Sequence, residues 1–345
     1  MKNTLSFFLS ILVVMSFCTF ASAEIRLKYG LSAPPTHPHA KSSLFLSEYV
    51  KEKTKGQVII DVFPLGQLGS GRSMVEQVQG GTLDIADVTS AVVSPFAAPT
   101  GLLDLPFLWP SRGVAYSVLH DTEFFNIYRD MLRKKDLVMI GYGENEFRDL
   151  TNIKREVRRP EDVKGLKIRV MEAPIFMETW RTLGANPVPM PFGEVYTGLQ
   201  QGVIDAQENP LYTSILMKFT EVCPYATSLQ YSLSSTIKLM SVNAWGKLTS
   251  EQQEILMQAA RLAVQKNREE NMNIVADTVG QLEAEGKVKV TYLSKSERDA
   301  FVEAVQPVYA RFEKETGKIP NDKKYGRFAG MSYFQLFQEK IKQYQ

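Results

Sequence analysis

The sequence predicts an α/β protein with mixed or parallel sheets, because strand-like and helix-like patterns alternate along the chain. Two further features bear on how its parts are arranged. A short segment is echoed: Gln79-Gly80-Gly81-Thr82-Leu83-Asp84-Ile85-Ala86 and Gln200-Gln201-Gly202-Val203-Ile204-Asp205-Ala206 each end a helix with glycine and begin a short strand carrying an aspartate. The echo reads either as common helix-stop chemistry or as two similarly built lobes. One helix is also long enough to lie along both such lobes.

The elements follow in order. Ile25-Arg26-Leu27-Lys28-Tyr29 alternates apolar and polar residues and predicts a first strand. A helix is expected from about Ala40 to Lys55, stopped by Gly56, and β-branched residues from Val58 to Phe63 predict a second strand. A helix around Met74 to Val78 leads to an apolar strand at Ile85 to Val88. Helical patterns cover Val114 to Lys134, and Leu137 to Ile140 reads as another strand. Ser250 with Gln253 forms a capping-box pattern, and no Pro or Gly interrupts the chain from Glu251 until Gly280. Ile255, Leu256, Ala259, Leu262 and Ala263 recur at helical spacing. A helix running to about Glu285 would extend about 50 Å; two helices broken near Gly280 are the alternative.

The chain has 345 residues, enough for two domains, and its composition of 44% hydrophobic and 23% charged residues is that of a globular protein. A formal charge of +2 gives no reason for attraction to nucleic acid or acidic lipid, so any anion recognition must be local. Residues 1–23 read as a signal peptide: Lys2, an apolar run from Leu5 to Phe20, and a small-residue site at Ala21-Ser22-Ala23, with cleavage after Ala23. A retained anchor is disfavoured by the shortness of the run. Acylation at Cys18 is disfavoured by Phe17, where a small residue is expected. No later segment is apolar for long enough to cross a bilayer. Cys223 is then the one remaining cysteine, which suits the periplasm.

Candidate chemistry is sparse outside one region. Gly66-Gln67-Leu68-Gly69-Ser70-Gly71-Arg72-Ser73 nearly spells a phosphate-binding loop, but Arg72 stands where lysine is needed, so a glycine-rich strand–helix turn is the better reading. His37-Pro38-His39 could hold a metal, yet no acidic or cysteine partner is spaced nearby. No metal or other cofactor is expected. The region from Arg148 to Pro210 is richer. In Gly165-Leu166-Lys167-Ile168-Arg169-Val170, alternation places Lys167 and Arg169 on one face, either as a solvated basic face or as an arginine held into a cleft. A guanidinium fork matches a carboxylate with two parallel hydrogen bonds, which lysine cannot do. Phe192 precedes a helix, and Asn209, held extended before Pro210, could donate to one ligand oxygen and accept from another.

The runs Pro160 to Val170, Leu183 to Tyr196 and Leu199 to Pro210 together resemble the DctP-type solute receptors of TRAP transporters, densely over about 65 residues and more loosely over the mature chain, including Phe63 to Gly69 and Gly81 to Asp84. That resemblance implies a two-lobed periplasmic-binding-protein-like fold with hinge strands and a long helix spanning both lobes. It places the first lobe at 24–146 plus about 235–272 and the second at 147–234 plus about 273–345. It places the family's selectivity arginine at Arg169, a second arginine at Arg148, cleft-lining positions at Phe192 and Asn209, and variable pocket positions at Ser32, Thr89 and Tyr231. Thr89 stands where receptors for acidic sugars can carry glutamate, which weighs against sialic acid. The implied role is a monomeric, non-enzymatic periplasmic receptor. It would deliver a small carboxylate metabolite (dicarboxylate, hydroxy or keto acid, or sugar acid) to the small and large membrane subunits of a TRAP permease. A sensor feeding a membrane kinase is the alternative, and a periplasmic enzyme is a weaker one, since only Glu194 and Glu208 lie near in sequence and read as structural partners of Arg169 or helix residues.

Overall fold

The computed structural model describes residues 24–345, with side chains at all positions except 144, 145, 273, 275–277 and 283. The expected signal segment, its cleavage after Ala23 and the alternative roles of Cys18 lie outside the described residues. Among the described residues eleven strands form two sheets: β1 (Ile25–Leu31), β2 (Val58–Phe63), β3 (Ile85–Thr89), β4 (Leu137–Phe147), β5 (Asp149–Asn152), β6 (Lys167–Val170), β7 (Asn186–Pro189), β8 (Ala206–Asn209), β9 (Tyr225–Ser228), β10 (Leu233–Ser241) and β11 (Lys289–Tyr292). The first sheet runs β2-β1-β3-β10-β4 and the second β11-β9-β5-β8-β6-β7.

The two sheets repeat one plan. β1 pairs in parallel with β2 and β3, and β10 runs antiparallel between β3 and β4. In the second sheet, β6 pairs in parallel with β7 and β8, and β5 runs antiparallel between β8 and β9. The echoed segment sits at the same place in both. Gly81 (φ 77°) and Gly202 (φ 68°) take the left-handed conformation that stops a helix, and each chain then enters a strand inside its sheet, β3 or β8. Asp84 accepts the amide of Lys28 at 2.9 Å, and Asp205 accepts the amide of Lys167 at 3.1 Å. Each aspartate thus satisfies a backbone donor on the neighbouring parallel strand. Chance helix-stop chemistry does not account for that shared bonding, whereas two similarly built lobes do.

The lobes are joined by three crossings. β4 passes into β5 at Arg148, β9 passes into β10 through 229–232, and one uninterrupted helix, Ser250–Glu285, runs 36 residues from the first sheet toward β11. At 1.5 Å per residue that helix is about 54 Å long. Its first half packs on β4 and the helix Pro38–Lys53, where Gly141 allows close approach; a Cβ there would meet Ala260 Cβ at 3.1 Å. Its far end joins Leu211, Ala226 and Val288 through Leu282. The helix is capped one residue earlier than expected. Thr249 Oγ1 accepts from the amide of Gln252, and the Gln252 side chain accepts from the amide of Thr249.

Two other elements differ from expectation. The Val114–Lys134 pattern divides into the helices Arg112–Leu119 and Thr122–Arg133, because Asp121 caps the second through the amide of Phe124 at 2.9 Å. The chain after 273 follows the second lobe through β11, which pairs with β9, and then leaves it. Its last helix, Tyr333–Tyr344, sets Phe337 against Trp109 and Phe124 of the first lobe, with ring centres 5.8 and 4.9 Å apart. The buried apolar face of that helix finds its cover there.

Candidate functional site

A cavity opens between the two sheets, with about 790 Å³ of free space that includes its solvent-facing mouth. Ser32, Thr89, Arg148, Arg169, Phe192 and Asn209 all line it. They come from both sheets and from the junction between them, so the fold gathers residues far apart in sequence.

Arg169 lies on β6, between β7 and β8, with 2% of its surface exposed. Of the two readings of this strand, the solvated basic face does not exist: Ile168, Arg169 and Val170 are all buried, and only Lys167 reaches outward, to the carbonyl of Gly202 at 2.7 Å. Arg169 Nε donates to the carbonyl of Met190 at 2.9 Å, and its guanidinium lies 5.9 Å from the centre of the Phe192 ring. Those two contacts fix the plane of the fork. Among the described residues neither Nη group has a hydrogen-bond or ion-pair partner. Burial pulls the guanidinium down to about 10, with Glu208 opposing and Arg148 adding to the shift, so the group stays charged at neutral pH.

Arg148, 1% exposed, is bonded to both lobes. Its Nε donates to Glu208 Oε2, Nη2 reaches Glu208 Oε1 at 3.1 Å and Asn209 Oδ1 at 3.0 Å, and Nη1 reaches Ser234 Oγ at 3.1 Å. Of its five N–H groups, one on Nη1 is left for the cavity. Glu208, expected as a partner of Arg169, is instead the partner of Arg148. Tyr231 is a correction too, for it does not line the cavity. Its hydroxyl donates to Glu208 Oε2 at 2.6 Å and accepts from Trp180 Nε1 at 3.3 Å, behind the wall. It sits there because the two crossing segments pair, with the Arg148 amide bonded to the Ser232 carbonyl and the Tyr231 amide to the Arg148 carbonyl. Asn209 is partly committed as well: Oδ1 accepts from Arg148 and Nδ2 donates to Gln207 Oε1 at 2.6 Å.

The first lobe supplies the facing wall. Thr89 Oγ1 donates to Met171 Sδ across the cleft at 3.1 Å. His37, His39, Arg72 and Asp87 also line the cavity, and sequence reasoning passed over all four as site residues. His37 bonds Thr213 of the second lobe at 3.2 Å, and burial pushes its ring down to about 3, leaving it neutral. His39 Nε2 lies 2.7 Å from Asp87 Oδ2, which also accepts from Lys238 at 2.5 Å and Tyr29 at 2.9 Å. Burial pushes the Asp87 carboxyl up, but His39 and Lys238 outweigh it and hold the group well below the usual carboxylate range. The two histidines follow β1 at the start of the helix Pro38–Lys53, Arg72 follows β2 at the start of the helix Gly71–Gly80, and Asp87 stands in β3 one residue past the echoed segment, so only their placement around neighbouring strands was a signal. Among the described residues no group of three or more His, Cys, Asp or Glu could hold a metal ion.

Comparison with known proteins agrees with this geometry. Residues 29–315 match the DctP family, described as bacterial extracellular solute-binding protein, family 7. A solute-binding protein of Verminephrobacter eiseniae is 34% identical over 302 residues, covering 86% of this chain and 88% of that one. The 2,3-diketo-L-gulonate-binding periplasmic protein YiaO of Escherichia coli K12 is 32% identical, covering 76% and 79%. The crystal structure of the sugar acid binding protein DctPAm from Advenella mimigardefordensis, in complex with galactonate, superposes with a TM-score of 0.85 at 28% identity, over 94% of this chain and 99% of that one.

Proposed function

The chain belongs to the bacterial extracellular solute-binding proteins of family 7, the receptors of TRAP transport, and from that premise we propose that it captures a small organic acid in the periplasm and delivers it to the membrane subunits of a TRAP permease. The observation that carries this reading is Arg169: a buried, charged guanidinium at a cavity, held by one carbonyl and one ring, with two donor groups unmet. A carboxylate supplies the planar pair of acceptors that such a fork lacks. The two relatives described above that carry a ligand in their names bind acids, a diketo-gulonate and galactonate.

Capture follows from geometry. Arg169, Phe192 and Asn209 stand on the second lobe, Ser32 and Thr89 on the first. A ligand held by both makes its full set of contacts only when the lobes close, so binding populates the closed form. A micromolar receptor needs about −8 kcal/mol, and one charge-assisted pair contributes about 1.5–3 kcal/mol. The Phe192 ring and the polar groups of the facing wall supply the rest. Removal of residues 1–23 after Ala23 would release the receptor to the periplasm.

Mass spectrometry of small molecules released from natively purified protein tests the proposal, followed by thermal shifts with the acids found. Stabilisation should grow with the ratio of ligand to Kd. Recovery of a cation or an uncharged solute as the sole stabilising ligand would contradict it.

A further inference from the structure

Resting on the reading that a carboxylate docks at Arg169, we propose that the ligand is a polyhydroxylated monocarboxylic acid and that this cavity discriminates against dicarboxylates. The balance of charge on its walls is the reason. Of the arginines that line it, Arg148 is neutralised by Glu208, and half-exposed Arg72 is paired with Glu76 at 3.1 Å. Arg169 is the one without a carboxylate at ion-pair distance among the described residues. Lys238 is spent on Asp87 at 2.5 Å. One unneutralised cation matches one carboxylate.

A second carboxylate on the same ligand would meet a wall of the wrong sign. Glu172 lines the cavity with no ion-pair partner among the described residues, whereas the Asp87 carboxylate is matched by Lys238 at 2.5 Å and adds no net negative charge. Like charges brought together in a partly desolvated cleft repel strongly, and this is how an interface rejects a wrong partner.

The remaining polar lining suits hydroxyl groups. Ser32, Thr89, Thr213 and Thr236 present side-chain oxygens that both donate and accept, and the Asn209 amide stands beside them. An acid with its charge at one end and hydroxyls along its chain meets every one of these conditions.

The test is isothermal titration of the whole mature protein with matched acids: gluconate with glucarate, galactonate with galactarate, threonate with tartrate, and hexanoate and sorbitol as controls. At least one aldonate should bind roughly 100-fold or more tighter than its aldarate, as a repulsive contact of this kind predicts. Hexanoate should bind far more weakly than that aldonate. Glu172→Gln, which removes one wall anion, should narrow the aldarate gap. An aldarate or tartrate that binds more tightly than every aldonate, with Arg169→Ala still weakening it at least about tenfold, overturns the monocarboxylate inference and leaves the carboxylate reading intact. Equal binding of sorbitol and gluconate, or acids bound undiminished by Arg169→Ala, overturns the carboxylate reading and this inference with it. Silence from every acid in the panel overturns the inference.

Discussion

Arg148 and Glu208 form a buried ion pair at the point where β4 passes into β5, the arginine 1% and the glutamate 0% exposed. Because the same guanidinium also holds Ser234 of β10, it braces the crossing from both sides. The pair divides two neighbouring arginines into a structural one and an available one: Arg148 is spent on Glu208, and Arg169 keeps its fork for a ligand.

Breaking that pair should cost stability. Arg148→Met or Glu208→Leu leaves a buried charge without its partner, a loss of about 3–5 kcal/mol. Replacing both, as in Arg148→Met with Glu208→Leu, removes the stranded charge and should cost less than the two single changes summed. Urea unfolding of the four proteins measures the coupling, and strict additivity would show that the two side chains act independently.

Arg169 should behave in the opposite way. Its unmet guanidinium adds little to the apo fold, so Arg169→Ala should unfold at nearly the wild-type temperature. Ligand binding should weaken about ten- to 150-fold, the worth of a charged pair of about 1.5–3 kcal/mol. Arg169→Lys should lose nearly as much, since an ammonium cannot present two parallel donors in one plane. Thermal shifts with the recovered ligand read both effects, and tight binding by the lysine variant would deny the bidentate geometry.

What the chain revealed before folding was its periodic content. Strands alternating with helices, the long helix from residue 250 and the glycine–aspartate echo all follow from local pattern, and the shared bonding of Asp84 and Asp205 shows why the echo exists. The cap of the long helix slipped by one position because Thr249 with Gln252 and Ser250 with Gln253 spell overlapping boxes, and local chemistry does not choose between them. Which arginine is free was illegible for another reason. Glu208 lies 60 positions from Arg148, and only the antiparallel pairing of β5 with β8 brings them together. The same holds for His39 and Asp87, joined between the helix Pro38–Lys53 and β3, and for Tyr231, drawn behind the wall by the pairing of the two crossing segments.

Cys223 should be inert while the protein is folded. It is fully buried, and burial pushes its thiol up to about 12, so almost none of the reactive thiolate forms at neutral pH. A colorimetric disulfide reagent should label it at least about 10³-fold more slowly in buffer than in denaturant, tracking the unfolded fraction. Rapid labelling of the native protein would place the thiol at the surface.

Two buried groups should tilt stability against pH in opposite directions. Burial raises Asp149 to about 7, although the amide of Gln230 bonds it at 3.0 Å. Between its unfolded value near 3.8 and about 7 the folded form keeps a proton that the unfolded chain has lost, so this group lowers stability as pH rises. Burial lowers His37 to about 3, so from there to 6.5 the unfolded chain holds the extra proton and stability rises with pH. Each slope is bounded by about 1.4 kcal/mol per pH unit. Relative to wild type, Asp149→Asn should therefore gain stability from pH 4.5 to 6.5, and His37→Asn should lose it over the same window. Thermal denaturation at pH 4.5, 5.5 and 6.5 measures both differences. Slopes of the same sign in the two variants would mean that at least one of these groups is solvated in the folded protein.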